Sequence, residues 1–320
     1  MISFVIPMYN SEKTISKVLD SIFLQSYLPE YEIIIVDDGS VDNSVKVVEK
    51  VSETHPEIKL IKQKNCKQAV ARNNGLKNVL GEFVCFIDSD DLLKKNYLYD
   101  LLSPLNTDNR LSLSIGGIEK VFESGKESIV ENESVLENAQ NKQKLLSLYL
   151  TKNSEMDVGL WNKVFKTEII RENNINFKNS NFFEDSFFVL EYLENLEVEQ
   201  IFFSNHVVYE LFKGGESTTT SFKPEIDQLA KKYINFVGLK VQAKDLSNDV
   251  FAAFKIRTIL HVVHHHIKYD HEWSSSKQVS LFKNSGIGVP FSRLLSIKYN
   301  VASIFARTFP KIYIKLYRGR

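Results

Sequence analysis

Ile33-Ile34-Ile35-Val36-Asp37-Asp38-Gly39-Ser40 runs four β-branched residues straight into two carboxylates, a glycine and a hydroxyl. An apolar run without alternation describes a strand buried on both faces, as in a parallel sheet covered by helices. The same arrangement recurs on either side of it. Ile2-Ser3-Phe4-Val5-Ile6 is an earlier strand, expected to close at Pro7. Phe83-Val84-Cys85-Phe86-Ile87 is a later one and ends in Asp88-Ser89-Asp90-Asp91. Ile58-Lys59-Leu60-Ile61 supplies a further strand. Between the strands, Ile15, Val18, Leu19, Ile22 and Phe23 recur at helical spacing. A second helix begins near Asp42, whose carboxylate suits an N-cap, and a third covers 69–79. Strand–helix alternation predicts an α/β fold, a mainly parallel central sheet sandwiched by helices.

Farther along, 111–118 and 198–208 read as strands and 137–150 as a helix. After Pro224 the pattern is mostly helical. Two regions are therefore expected, an α/β domain over 1–220 and a helical region over 221–320. The 320 residues are 43% apolar and 25% charged, enough for each region to bury a core. A formal net charge of zero gives no global pull toward nucleic acid. The charge is unevenly spread, however. Beyond Glu272 there is no acidic residue, while nine Lys and Arg follow, from Lys277 to Arg320. Such asymmetry marks an anionic partner. Two cysteines, Cys66 and Cys85, form neither a disulfide framework nor a zinc motif, which points to a reducing, cytoplasmic setting. The first strand is read as starting at once, so no signal peptide is expected, and no apolar stretch approaches the roughly 20 residues that span a bilayer.

In an open α/β sheet, ligands bind beyond the carboxyl ends of the strands. Here those ends carry Pro7-Met8-Tyr9-Asn10, Asp37-Asp38-Gly39-Ser40 and Asp88-Ser89-Asp90-Asp91. One aspartate after a strand is an ordinary cap. Five carboxylates on one edge repel each other unless a cation or hydrogen-bond donors neutralise them. A divalent ion with a phosphate-bearing ligand satisfies that need, because Mg²⁺ and Mn²⁺ take oxygen ligands and bridge phosphates.

The set from Phe4 to Asn10, Val36 to Ser40 and Asp88 to Asp91 resembles family 2 glycosyltransferases of the GT-A fold, of the type that builds bacterial surface polysaccharides. Ala71-Arg72-Asn73 with Gly75-Leu76, Trp161-Asn162-Lys163 and Glu184-Asp185 extend the resemblance over roughly 1–220. It implies an inverting transferase that uses a nucleotide-sugar, a UDP-sugar by the uridine-like donor and acceptor pattern, with Mn²⁺ or Mg²⁺. Pro7, Tyr9, Asn10, Asp38, Arg72, Asp88, Ser89 and Lys213 are implied as nucleotide-binding residues. Tyr9 would pack on the base and Asp38 would accept the uracil N3–H. Asp90 is implied as the metal ligand and Asp185 as the general base. Glu184 would meet the acceptor, a glycan or lipid-linked glycan of capsule, teichoic acid or lipopolysaccharide type, and Trp161 would be either a platform for it or a buried core residue. Phe182, Phe183, Phe187 and Phe188 surround the acidic pair and would raise its basicity.

Two positions depart from the family pattern. Lys67 stands where glycine is frequent, five residues before Arg72, and Lys213 stands where an arginine is usual. Lysine cannot make the bidentate phosphate fork. Gly214-Gly215 with Ser217 and Thr218 would form a loop closing over the diphosphate, or an ordinary surface loop. A nucleotidyltransferase or a non-catalytic nucleotide-sugar binding protein is the alternative. The first would show a glycine-rich loop after the first strand, where Met8-Tyr9-Asn10-Ser11 has none.

Two further features lie outside that pattern. His261 and His265 stand four apart on a helix, a metal pair or simply helical surface histidines. In the tail, Lys311, Lys315 and Arg318 share one face, and Ile312, Tyr313, Leu316 and Tyr317 another. That segment suits either the inner surface of an anionic membrane or a contact within its own domain or with a second subunit.

Overall fold

The structure, a computed structural model, describes residues 1–123, 127–178, 182–214, 222–288 and 291–318. In chain order the first elements are β1 (Ile2–Met8), α1 (Ile15–Phe23), β2 (Tyr31–Asp37), α2 (Ser44–Ser52), β3 (Ile58–Lys62), α3 (Gln68–Leu76), β4 (Phe83–Phe86), β5 (Leu92–Leu93) and α4 (Tyr97–Thr107). There follow β6 (Leu113–Phe122), β7 (Ser128–Glu131), α5 (Lys142–Lys152), α6 (Glu155–Val158), β8 (Lys163–Lys166), α7 (Thr167–Glu172), α8 (Glu184–Leu193) and β9 (Ile201–Lys213). The chain ends in α9 (Ile226–Ala243), α10 (Asn248–Tyr269), α11 (Ser275–Asn284), α12 (Ile297–Thr308) and α13 (Pro310–Arg318).

The described strands form one mixed sheet in the order β3-β2-β1-β4-β8-β6-β9-β5, with β7 beside β6. The expected parallel portion is β3-β2-β1-β4, and β8 enters antiparallel to β4. Strand β1 does not stop at Pro7 but runs through it to Met8. The β1–β4 pairing ends at Val5 and Phe86, and the Val5 carbonyl accepts the Ile87 amide on that side. Pro7 faces the same side one step beyond the last partner, so its missing N–H removes no ladder bond. Helix α5 likewise begins later than the sequence pattern indicates, because a 3-10 turn at Val135–Asn138 interrupts the run.

Helix α3 lies unusually close to the sheet. A Cβ on Gly75 would stand 2.4 Å from Val5 Cγ1, so only glycine admits this approach. Gly75 thereby sets the depth of Arg72, one turn earlier on the same helix.

The chain divides into two compact units. One comprises Met1–Lys142 and Ser154–Gly214 and contains the sheet. The other joins Gln143–Asn153 to the chain from Gly215 to Arg320. The second unit thus takes α5, which the sequence reading leaves in the α/β domain. Arg257 on α10 donates to the Asn153 carbonyl and side chain at 2.8 and 2.7 Å. The core of this unit gathers Ile256, Leu260 and Val263 of α10 with Trp273, Phe282 and Ala306.

Three successive α10 histidines serve that packing. His264 stacks on Tyr317 at 3.9 Å and meets the Tyr313 hydroxyl at 2.7 Å. His265 Nε2 accepts the Lys223 amide at 3.1 Å, and His266 lies on Trp273 and contacts Asp227 at 2.8 Å. Burial pushes His264 and His265 down to about 4, so both rings are neutral at pH 7. The His261–His265 metal pair is therefore corrected: His265 uses its Nε2 lone pair on backbone. Among the described residues no three His, Cys, Asp or Glu side chains gather as a metal cluster.

Candidate active site

The carboxyl ends of β1, β2 and β4 are tied together by short polar contacts. Asn10, at φ 51°, donates its amide to Ser40 Oγ at 2.9 Å and accepts the Val41 amide at 2.9 Å. Ser11 Oγ meets Ser89 Oγ at 2.7 Å, and Thr14 donates to the Ser89 carbonyl at 2.7 Å. Tyr9 projects from this edge with about half of its surface exposed.

Asp37 and Asp38 are both met by amide donors. Asp37 Oδ1 accepts the Ser40 amide at 3.2 Å. Asp38 accepts the Cys66 and Lys67 amides at 2.8 and 2.9 Å and Gln63 Nε2 at 2.7 Å. Both oxygens are engaged by these three bonds, so about one of the four lone-pair positions remains. To offer its amide, Lys67 takes φ 73° and ψ 165°, a region that suits glycine. The family's glycine therefore has its physical reason here, and this chain holds the conformation with a lysine.

Arg72 is the centre of the site. Its side chain is 1% exposed, with Nη2 donating to Asp88 at 2.8 Å and Nη1 to Asp185 at 2.7 Å. Glu184 stands 3.9 Å from the same guanidinium. Gln68 adds a bond to Asp88 Oδ1 at 2.9 Å. The guanidinium lies over the Phe177 ring, itself stacked on Phe188 at 4.4 Å. Asn73 fixes Phe177 by exchanging two hydrogen bonds with its backbone at 2.7 and 2.8 Å. The sequence resemblance assigns Arg72 to the nucleotide. In the structure its fork meets two carboxylates, as a buried guanidinium needs anionic partners.

Desolvation raises Glu184 and Asp185 beside it. Glu184 is pushed up to about 7 by burial and then by Asp185, against the pull of Arg72. Asp185 moves up for the same first reason, with Arg72 opposing. Its helix, α8, starts from Phe183 in a left-handed conformation at φ 70°. Asp90, although it reaches solvent, is pushed up to about 6 by desolvation and by Asp88. Lys213 pulls it the other way, but among the described residues no Lys or Arg forms a salt bridge with Asp90, so this carboxylate suits a cation.

Asp91 is a structural member of the turn. It accepts the Phe212 amide at 2.7 Å and the Tyr209 hydroxyl at 3.1 Å, which fastens β9 to the acidic turn. The same hydroxyl accepts the Asp88 amide at 3.3 Å. Trp161 stacks on the Tyr209 ring at 5.2 Å and 12° and is 5% exposed. The expected acceptor platform is thus corrected: Tyr209 covers one face of the indole, and Gly159 crowds its edge. Tyr209 itself carries no signal in the sequence, since its role depends on strand pairing.

Lys163, fully buried, donates to the Met156 and Gly159 carbonyls at 2.6 and 2.5 Å and to Asn162 at 3.0 Å. Burial brings its ammonium down to about 7. Lys213 pairs with Glu155, whose other oxygen holds Lys120 at 2.8 Å. The cation expected at the diphosphate is therefore engaged by a carboxylate. Gly215, Ser217 and Thr218, the expected closing loop, lie outside the described residues.

The profile of the family described as Glycosyl transferase family 2 matches residues 3–172, more than half of the chain. The chain belongs to glycosyl transferase family 2. It is 32% identical over 200 residues to the poly(ribitol-phosphate) beta-N-acetylglucosaminyltransferase TarP of Staphylococcus aureus, covering 61% of this chain and 58% of TarP. It is 31% identical over 183 residues to the glycosyltransferase GlyA of Streptococcus pneumoniae, covering 53% of this chain and 25% of GlyA. The crystal structure of S. aureus TarS 1-349 in complex with UDP-GlcNAc superposes with a TM-score of 0.66 at 21% identity, covering 99% of this chain and 90% of that one. This likeness establishes the GT-A fold for the family 2 domain. The chain spans between a quarter and about three-fifths of the length of the curated relatives GlyA, YibD of Escherichia coli and the cholesterol galactosyltransferase of Borreliella burgdorferi. Among the described residues, no helix is long and apolar enough to cross a membrane.

Proposed function

We propose that the protein transfers a sugar from a UDP-sugar to a hydroxyl of a glycan or lipid-linked glycan in surface-polysaccharide synthesis, with inversion at the anomeric carbon. One observation carries this reading: Arg72 joins the acidic turn after β4 to Asp185 on α8, so the proposed donor edge and the proposed base share one buried charge. The name of TarP and the UDP-GlcNAc complex of TarS support a teichoic-acid-type acceptor and a UDP-N-acetylhexosamine donor.

In this reading Tyr9 packs on the uracil, and Asp38 accepts its N3–H with the remaining lone pair. Asn10 and Ser89 orient the turn, and Asp88 faces the ribose. Asp90, with the diphosphate oxygens, would hold Mn²⁺ or Mg²⁺, which offsets the charge growing on the leaving UDP. The acceptor oxygen attacks the anomeric carbon, its proton passes to Asp185, and the bond to UDP breaks. Asp185 has Oδ1 bonded to Arg72, and Oδ2 takes the proton. Its raised pKa makes it a stronger base than a solvated aspartate. Glu184, beside it, would orient the acceptor. A panel of UDP- and GDP-sugars, assayed for cation-dependent release of nucleotide, tests the proposal. Release from UDP-N-acetylglucosamine with Mn²⁺ and none in EDTA is expected, and release from GDP-sugars alone would overturn it.

A further inference from the structure

Helix α12 leaves a stripe of aliphatic side chains on its outer side. Asn300, Ser303 and Ala306 are its buried residues, and Tyr299, Ala302 and Phe305 pack partly buried on the core beside them. Asn300 exchanges bonds of 2.9 Å with the Ser292 amide and carbonyl, and Gln278 donates to the Ala306 carbonyl at 2.7 Å. Ile297, Val301 and Ile304, spaced i, i+4 and i+7 on the opposite face, are 83, 58 and 40% exposed. A helix that packs only on its own domain keeps such a stripe off its solvent face.

Helix α13 continues the pattern. The sequence pattern groups Ile312, Tyr313, Leu316 and Tyr317 as one apolar face, but the helix separates them. Tyr313 and Tyr317 turn inward to His264, leaving Ile312 and Leu316 at 51 and 58% exposure beside exposed Lys311 and Lys315. Phe309, between the two helices, is 54% exposed.

The occupant of this surface follows from charge. After Glu272 the chain has nine basic and no acidic residues. A second copy presenting the same patch would bring like charges together, whereas anionic lipid brings the complement. We propose that the exposed faces of α12 and α13 lie on an anionic lipid bilayer, with the apolar side chains at the headgroup–acyl boundary and the lysines among the phosphates. The surface is independent of the transfer chemistry and stands whether or not the proposed donor is right.

Flotation of the full chain with vesicles of phosphatidylcholine, alone or mixed with phosphatidylglycerol, tests it. Binding to the mixed vesicles only is expected, and it weakens as salt rises from about 0.1 M to about 1 M. Each basic residue at an anionic surface strengthens binding roughly fivefold, so Lys311→Gln with Lys315→Gln lowers partitioning roughly 25-fold. Ile297→Ser with Val301→Ser lowers it on the same vesicles without loss of UDP affinity or melting temperature, which shows the variant folded. Equal binding to neutral vesicles, or none to either, overturns the proposal. So does an oligomer that Ile297→Ser with Val301→Ser converts to monomer while vesicle binding persists, which identifies the stripe as a subunit contact.

Discussion

Arg72 and Asp185 are 113 residues apart in the chain and 2.7 Å apart in the fold, and Arg72 reaches Asp88 with its other terminal nitrogen. A single buried guanidinium therefore sets the spacing between the proposed donor edge and the proposed base. It also opposes the burial that raises the Asp185 pKa.

Removal of Arg72 exposes that dependence. Arg72→Met leaves Asp88, Asp185 and Glu184 without their common partner, and breaking a buried pair of this kind costs about 3–5 kcal/mol. Urea unfolding of the variant should show the loss. Combining it with Asp185→Asn and Asp88→Asn should recover part of the stability, and an undiminished midpoint for Arg72→Met alone would contradict the central role.

The base is tested by Asp185→Asn, which is isosteric and cannot accept a proton. The rate of transfer should fall by about 10²–10⁴ while UDP affinity stays within a few-fold. Single-turnover kinetics beside calorimetric UDP titration separate the two. Wild-type turnover in the variant would move the role to Glu184.

At Lys67 the backbone sits where a side chain is strained, at a cost of about 1–3 kcal/mol. Lys67→Gly relieves that strain and costs about 0.5–1 kcal/mol in unfolded-chain entropy, so a net gain of about 1 kcal/mol is expected. Thermal unfolding reads it directly. A lower melting temperature would mean that the Lys67 side chain contributes more than its conformation costs.

Asp90 gives a pH signature. Its folded pKa, about 6, is raised above the unfolded value, so the folded protein holds a proton that the unfolded chain releases. That contribution favours the fold at low pH and is lost as pH rises through about 6. Asp90→Asn should therefore melt higher than wild type at about pH 8 and equal to it at about pH 4, in EDTA. Mn²⁺ affinity of the wild type should fall as pH drops through about 6, because protons compete for the same carboxylate. Calorimetry showing pH-independent Mn²⁺ binding would remove Asp90 from the metal site.

The parallel strands, the helices between them and the polar residues at the strand ends were all legible in the sequence. Each rests on local causes: unbroken β-branched runs, helical spacing of apolar residues, and glycine or aspartate at turns. The sequence also marked Lys67 as anomalous, which its positive φ explains. Contacts between distant segments needed the fold. Arg72 meets Asp185, Trp161 lies on Tyr209, and Lys213 meets Glu155 only because β9 and α8 are brought to the acidic turn. The same holds for the helical tail, where periodicity identifies two faces but not which of them turns inward. There the inward side of α12 is decided by Asn300, Ser303 and Ala306 fitting close to Ser292 and Gln278. A helix's composition is local, but the direction it faces depends on what the rest of the chain presents to it.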